Sequence, residues 1–205
     1  GFGGSDVPDV PPAIADYAHI VPAVLDALDI PRASVLGHHT GAAIAAELAV
    51  AEPRRITRVI LNGPPLFTPG ERAAYQAALA RAEPVTPQRD GRHLLALWER
   101  RKFFTPGWTD LDAMHRGLVM MLAAGGRELQ GYAAAFAHDI GVPLAAIRQP
   151  GLLLTNTGDD LYACSHRARE RRPDFAWVAL EGGTHDIVDE QPAAWSAAVA
   201  GFVAG

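Results

Sequence analysis

Val35-Leu36-Gly37-His38-His39-Thr40-Gly41 ends a short apolar run with two glycines that bracket three polar residues. A strand over 33–36 leads into this turn. A small-residue helix over 42–51, carrying Ile44, Leu48 and Val50, leaves it and stops at Pro53. A second β-branched run, 56–61, is cut off by Asn62-Gly63-Pro64-Pro65. Strand, tight turn, helix and strand in that order make one βαβ unit of a parallel sheet. Upstream, the Gly-, Pro- and Asp-rich opening through Pro12 reads as loop. Ile14, Tyr17, Val21, Val24, Leu25 and Leu28 then recur at helical spacing. Pro22 predicts a kink or a helix start near that point, and Pro31 closes the element.

Downstream the pattern changes twice. Between Leu66 and Ile147 the periodicity is helical, around 71–81, 92–101, 111–124 and 128–138, with Pro84, Pro87, Pro106 and Gly125-Gly126 as separators. After Pro150 the strand–helix rhythm returns. A strand over 152–155 ends in Asn156-Thr157-Gly158-Asp159-Asp160, and a short basic helix covers 165–172. A strand over 175–180 ends in Glu181-Gly182-Gly183-Thr184-His185-Asp186, and a closing helix over 191–203 puts Trp195, Val199 and Phe202 on one face. The division is therefore α/β core over 1–65, a helical insertion over 66–147, and core again over 148–205. An insertion of roughly eighty residues exceeds any ordinary connection.

Composition narrows the function. The chain has 205 residues, 49% of them hydrophobic, enough to bury a large core. Its net charge is −5 and Lys102 is its one lysine, so it lacks the basic patch that nucleic acid requires. No uncharged apolar run approaches the roughly 20 residues of a membrane span, and the opening has no signal-peptide pattern. A single cysteine, Cys164, excludes internal disulfides and thiolate-rich metal sites and suits a reducing cytosol. The expectation is a cytoplasmic protein acting on a small molecule, of bacterial origin from its Ala/Arg-rich usage, with homo-oligomerisation left open. No cofactor is expected: Gly1-Phe2-Gly3-Gly4 lacks dinucleotide spacing, and no phosphate-binding Gly-Lys-Ser or Gly-Lys-Thr occurs.

Functional groups of a parallel sheet collect at the carboxyl ends of its strands. Here those ends carry Gly37–Gly41, Gly158-Asp159-Asp160 and Gly183-Thr184-His185-Asp186. Glycines at both ends of a strand–helix turn let the backbone bend sharply and raise the middle side chain. With Gly1-Phe2-Gly3-Gly4-Ser5-Asp6 before them, these segments in this order resemble the α/β-hydrolase family across the whole chain, the helical insertion taking the place of the family's cap. The resemblance implies an α/β-hydrolase fold: a mostly parallel sheet flanked by helices, with the opening strands and one oxyanion loop lying before Gly1. It also implies hydrolysis of an ester, thioester, lactone or activated carbon–carbon bond, or else a lyase-like or ligand-binding member of the family.

By that resemblance the catalytic set is His39 at the elbow, Asp159 as the acid and His185 as the histidine. Thr40, through its backbone N–H, and His38 fall on the oxyanion and substrate-binding side. The family usually has Ser at the elbow, and here it is His39. Ser-type acyl transfer therefore cannot run as written. Imidazole can be a nucleophile or a base on water, or the site has lost hydrolysis. Asp159 is favoured over Asp160, which falls one residue out and is expected to face away. Adjacent histidines on a tight turn diverge, and no His-x-x-x-His spacing occurs, so no metal site is expected. Trp98, Phe103, Phe104, Trp108, Met120 and Met121 are expected in the core of the insertion.

Overall fold

Alternation of side chains along two buried strands decides how this protein covers its sheet. The computed structural model describes residues 2–205, so Gly1, the first residue of the turn at 1–6, lies outside the described residues. Strands β1 (Ala33–His38), β2 (Ile56–Asn62), β3 (Gly151–Asn156) and β4 (Ala176–Leu180) form one parallel sheet in the order β1-β2-β3-β4. The register sets His38 beside Asn62, Leu61 beside Leu153 and Asn156 beside Leu180. Successive side chains on a strand point to opposite faces. Val59, Leu61 and Leu153 accordingly join one core with helix α1 (Ile14–Ala27) and helix α2 (Thr40–Ala51). Ile60, Leu152 and Leu154 join a second core under Trp195, Val199 and Phe202.

The small residues of α2 have a packing role. Ala42, Ala43, Ala45, Ala46 and Ala49 are all buried, which lets the helix lie close on the sheet. Pro22 neither starts nor ends α1, which runs through it. The guanidinium of Arg55 donates to the carbonyls of Pro22 and Ile30 and to Asp26 Oδ1, at 2.6 Å for the last, and so ties down the C-terminal turn.

Between β2 and β3 every regular element is a helix: α3 (Pro69–Leu79), α4 (Arg92–Phe104), α5 (Leu111–Ala124), α6 (Glu128–Ala137) and α7 (Gly141–Ala146). A Thr68–Glu71 capping box starts α3. Glu71 also accepts from Arg167 Nη2 at 2.6 Å, on helix α8 (Tyr162–Arg171) of the sheet layers. The two closing helices are α9 (Ile187–Glu190) and α10 (Pro192–Ala204). Two expectations for the insertion's core fail. Phe103 is 78% exposed and Met120 is 73% exposed, because their helices pack on one side only. Among the described residues no helix is long and apolar enough to cross a membrane.

One glycine fixes the join between sheet and helix. A Cβ on Gly37 would collide with the backbone of Gly41 and Ala42 in the first turn of α2. Backbone cannot swing aside as a side chain can, so overpacking here is expected to cost at least the usual 1–3 kcal/mol. Gly37→Val should lower the urea midpoint accordingly, with an unchanged slope. An unaltered midpoint would show that β1 and α2 are not held at this distance.

Candidate active site

His39 occupies the apex of the β1–α2 turn with φ 50° and ψ −109°, a left-handed conformation that a side chain rarely adopts. Its amide donates to the Asn62 carbonyl at 2.8 Å. Asn62 is itself buried, with Nδ2 donating to the Leu154 carbonyl and Oδ1 accepting from Trp195 Nε1 at 2.8 Å. Next to it, Gly63 has φ 57°, and a Cβ there would lie 2.6 Å from His39 Nε2 and 2.8 Å from Asp159 Oδ2. The imidazole therefore rests on bare backbone.

Two imidazole–carboxylate pairs meet at this point. His39 Nε2 lies 3.0 Å from Asp159 Oδ2, and His185 Nδ1 lies 2.7 Å from Asp160 Oδ1. The rings of His39 and His185 touch edge to face, with centroids 4.4 Å apart. Asp159 has a fully buried side chain, and its other oxygen accepts from the Leu161 amide at 2.8 Å at the start of α8. Asp160 is more open, at 39% side-chain exposure.

This arrangement corrects the expected pairing. Asp160, not Asp159, holds His185, and Asp159 turns beneath the elbow to His39. The reason is local. The Leu161 amide draws the Asp159 carboxylate inward, which leaves the next side chain to face the His185 loop. Gly158 supports this turn, since its Cα lies so close to the Gly183 carbonyl that a Cβ would clash. A second expectation also fails: the neighbouring histidines do not diverge. The rings of His38 and His39 are 3.9 Å apart.

The electrostatics separate the three imidazoles. Burial, with the charges of His39 and His185, pushes the pKa of His38 down to about 2, so it stays neutral. Its Nε2 is buried with no hydrogen-bond partner among the described residues. For His185, burial alone would lower the pKa. The bond to Asp160 and the charges of Asp160, Asp186 and Asp159 outweigh it, and the net shift is upward. Burial would raise Asp160, but its bond to His185 and the nearby histidines hold it down at about 2. Donor atoms of His39, Asp159, Asp160 and His185 all lie within 4.8 Å of one another, a span a metal ion could bridge. Each imidazole already has a carboxylate at hydrogen-bond distance, so the set reads as two proton-sharing pairs.

Above these groups is a cavity of about 370 Å³. His39, Thr40, Asp160 and His185 line it together with Phe67, Tyr75, Phe104, Met121, Tyr132 and Phe136. Thr40 is the first residue of α2, where an amide has no acceptor within the helix. Phe104 packs on the His185 ring at 5.6 Å. From the same helix, Arg101 forms an ion pair with Asp186, both side chains about 15% exposed, and stands 5.7 Å from the Trp108 ring. Sequence periodicity gave no sign of this ion pair, because Asp186 and Arg101 are far apart along the chain.

The alpha/beta hydrolase family model matches residues 1–199. No curated protein matches the sequence. Among solved structures, a hydrolase from Pseudomonas aeruginosa PA01 is similar at TM-score 0.76 and 23% identity, covering 100% of this chain and 77% of that one. A bromoperoxidase from Bacillus anthracis is similar at TM-score 0.81 and 16% identity, covering 100% and 79%. An enol-lactonase from Burkholderia xenovorans LB400 is similar at TM-score 0.74 and 22% identity, covering 100% and 78%.

The Arg101–Asp186 pair leads to a stability prediction. Removing one partner strands a desolvated charge, while replacing both with apolar groups does not. Asp186→Asn should cost about 2–4 kcal/mol in chemical denaturation, and Arg101→Met with Asp186→Leu should recover most of it. Equal losses for the single and double variants would show that the pair carries no charge coupling.

Proposed function

The chain belongs to the alpha/beta hydrolase family, and from that premise we propose that it hydrolyses a small, partly apolar ester, thioester, lactone or activated carbon–carbon compound. His39 stands in place of the usual nucleophile. The observation that carries this reading is the contact of two imidazoles, each with its own carboxylate, on the floor of an apolar cavity. Solved structures described as an enol-lactonase and as an N-acyl homoserine lactone degrading enzyme share the fold and are consistent with that substrate range.

Two adjacent imidazolium ions repel, so the pair carries no more than one positive charge. The bond to Asp160 and the charges of Asp160, Asp186 and Asp159 favour that charge on His185, and in this reading His39 serves as the base. With Nε2–H given to Asp159, Nδ1 of His39 carries the lone pair. His39 takes a proton from water as the water oxygen attacks the carbonyl carbon. The Thr40 amide, at the N-terminus of α2, faces the oxyanion. Collapse breaks the bond to the leaving group, which takes the proton of His185. Transfer of the proton from His39 to His185 restores the starting state. Asp159 and Asp160 fix the tautomers and orient the rings. In this reading residues 66–147 act as the cap, His38 lines the site as a neutral wall, and the setting is the cytoplasm of a bacterium, where Cys164 remains a free thiol.

His39→Ala should lower turnover of p-nitrophenyl esters by about 10²–10⁴-fold, the range for one positioned base. A well-folded variant with full turnover would remove His39 from the chemistry. Acyl mass on the His39 peptide after rapid quench would instead identify it as a nucleophile, and inert esters with the native protein would favour a non-hydrolytic member of the family.

The pH profile tests the role of His185. A general acid works only while protonated, so kcat/KM should fall as pH rises through a pKa above 6.5. Asp160→Asn removes the bond that raises this pKa and should move the fall to lower pH. A profile that does not move would refute the assignment.

A further inference from the structure

The cavity has charged groups at two places, and one of them has no counterpart in the protein. At the floor, Asp160 is matched to His185. On the wall supplied by α4, Arg101 is matched to Asp186. Arg100, beside it, also lines the cavity and is half-buried, yet it has no hydrogen bond or ion pair among the described residues. Apart from the paired groups at the floor and wall, the lining it shares is largely apolar and aromatic: Leu79, Ala82, Met121 and Leu129 with the rings named above. A neutral ligand filling this space would strip water from a guanidinium and give nothing back, which is costly for a charged group. An anion would offset that cost with a charge-assisted, bidentate bond.

We propose that Arg100 is a carboxylate-binding residue and that the substrate is an anion: an ester or lactone bearing a free carboxylate at the end remote from the scissile bond. This rests on the hydrolytic reading for the ester and on Arg100 alone for the carboxylate. Spacing follows from the helix. Arg100 precedes Phe104 by about one turn, roughly 5.4 Å of rise, and Phe104 is in contact with His185. Arg100 and Phe104 therefore share one face of α4, and an apolar spacer among the aromatic lining joins the carboxylate to the reacting carbonyl. A guanidinium suits this role better than an ammonium because its planar fork matches both carboxylate oxygens.

Two measurements keep the binding claim separate from the catalytic one. The first is calorimetric binding of 4-phenylbutyrate against 4-phenylbutanamide, which needs no turnover. The carboxylate should bind about tenfold tighter, the preference should weaken with added salt, and Arg100→Gln should abolish it while Arg100→Lys keeps part. The second compares the mono-p-nitrophenyl ester of a short dicarboxylic acid with its methyl-capped neutral form. Native protein should favour the anion through KM more than through kcat, and Arg100→Gln should bring the two substrates towards equality. Carboxylate-selective binding without any hydrolysis would uphold the subsite and refute the hydrolytic reading. Hydrolysis with no carboxylate preference, or a preference that survives Arg100→Gln, would overturn the subsite.

Discussion

One hydrogen bond, from the His39 amide to the Asn62 carbonyl, holds the β1–α2 turn in a conformation that histidine avoids. Such a residue stores about 1–3 kcal/mol of strain and persists only where its surroundings over-determine it. Here they do so from three sides. Gly37 lets α2 start against the end of β1. Asn62 is locked by Leu154 and by Trp195 of the closing helix. Gly63 leaves room below for the imidazole and for Asp159. The far end of the chain thus supports the turn through a tryptophan indole, and residues from all four segments of the site are fixed relative to one another.

Rigid placement at this distance has an electrostatic consequence. Three imidazoles within 6.3 Å cannot all carry charge. His38, its Nε2 buried and its ring flanked by the other two, stays neutral. Two carboxylates then face the remaining two rings, so the cluster keeps negative charge enough to hold a proton on His185 and to orient His39. A Ser at the elbow would offer a hydroxyl to one histidine. His39 instead meets the His185 ring directly, with a carboxylate at hydrogen-bond distance from each imidazole.

Much of this was legible in the sequence. The parallel strands, the helical insertion between the second and third, and the turns carrying His39, Asp159 and His185 follow from hydrophobic period and glycine placement, both local signals. The choice between Asp159 and Asp160 was not legible. It depends on which carboxylate the Leu161 amide captures, a contact decided by how α8 begins, and one residue of offset reverses it. The stacking of His38 on His39 likewise depends on a backbone angle no pattern encodes. The short helices α7 and α9 escaped because four to six residues carry too little period to read. Exposure of Phe103 and Met120 depends on which side of each helix finds a neighbour, a tertiary matter.

The helical insertion is tied to the rest of the protein at two places. Arg167 on α8 holds Glu71 at the start of α3, and Arg101 on α4 holds Asp186, the residue next to His185. Phe104 touches His185 from the same helix as Arg101. A displacement of α4 therefore pulls on the His185 loop through an ion pair and a ring contact together, and His185 in turn bears on His39. Arg101 and Phe104 on the wall and His185 at the floor all line the cavity, so the position of α4 bears on that of His185. The wall of the cavity and the His185 loop at its floor are thus mechanically joined across about one turn of α4.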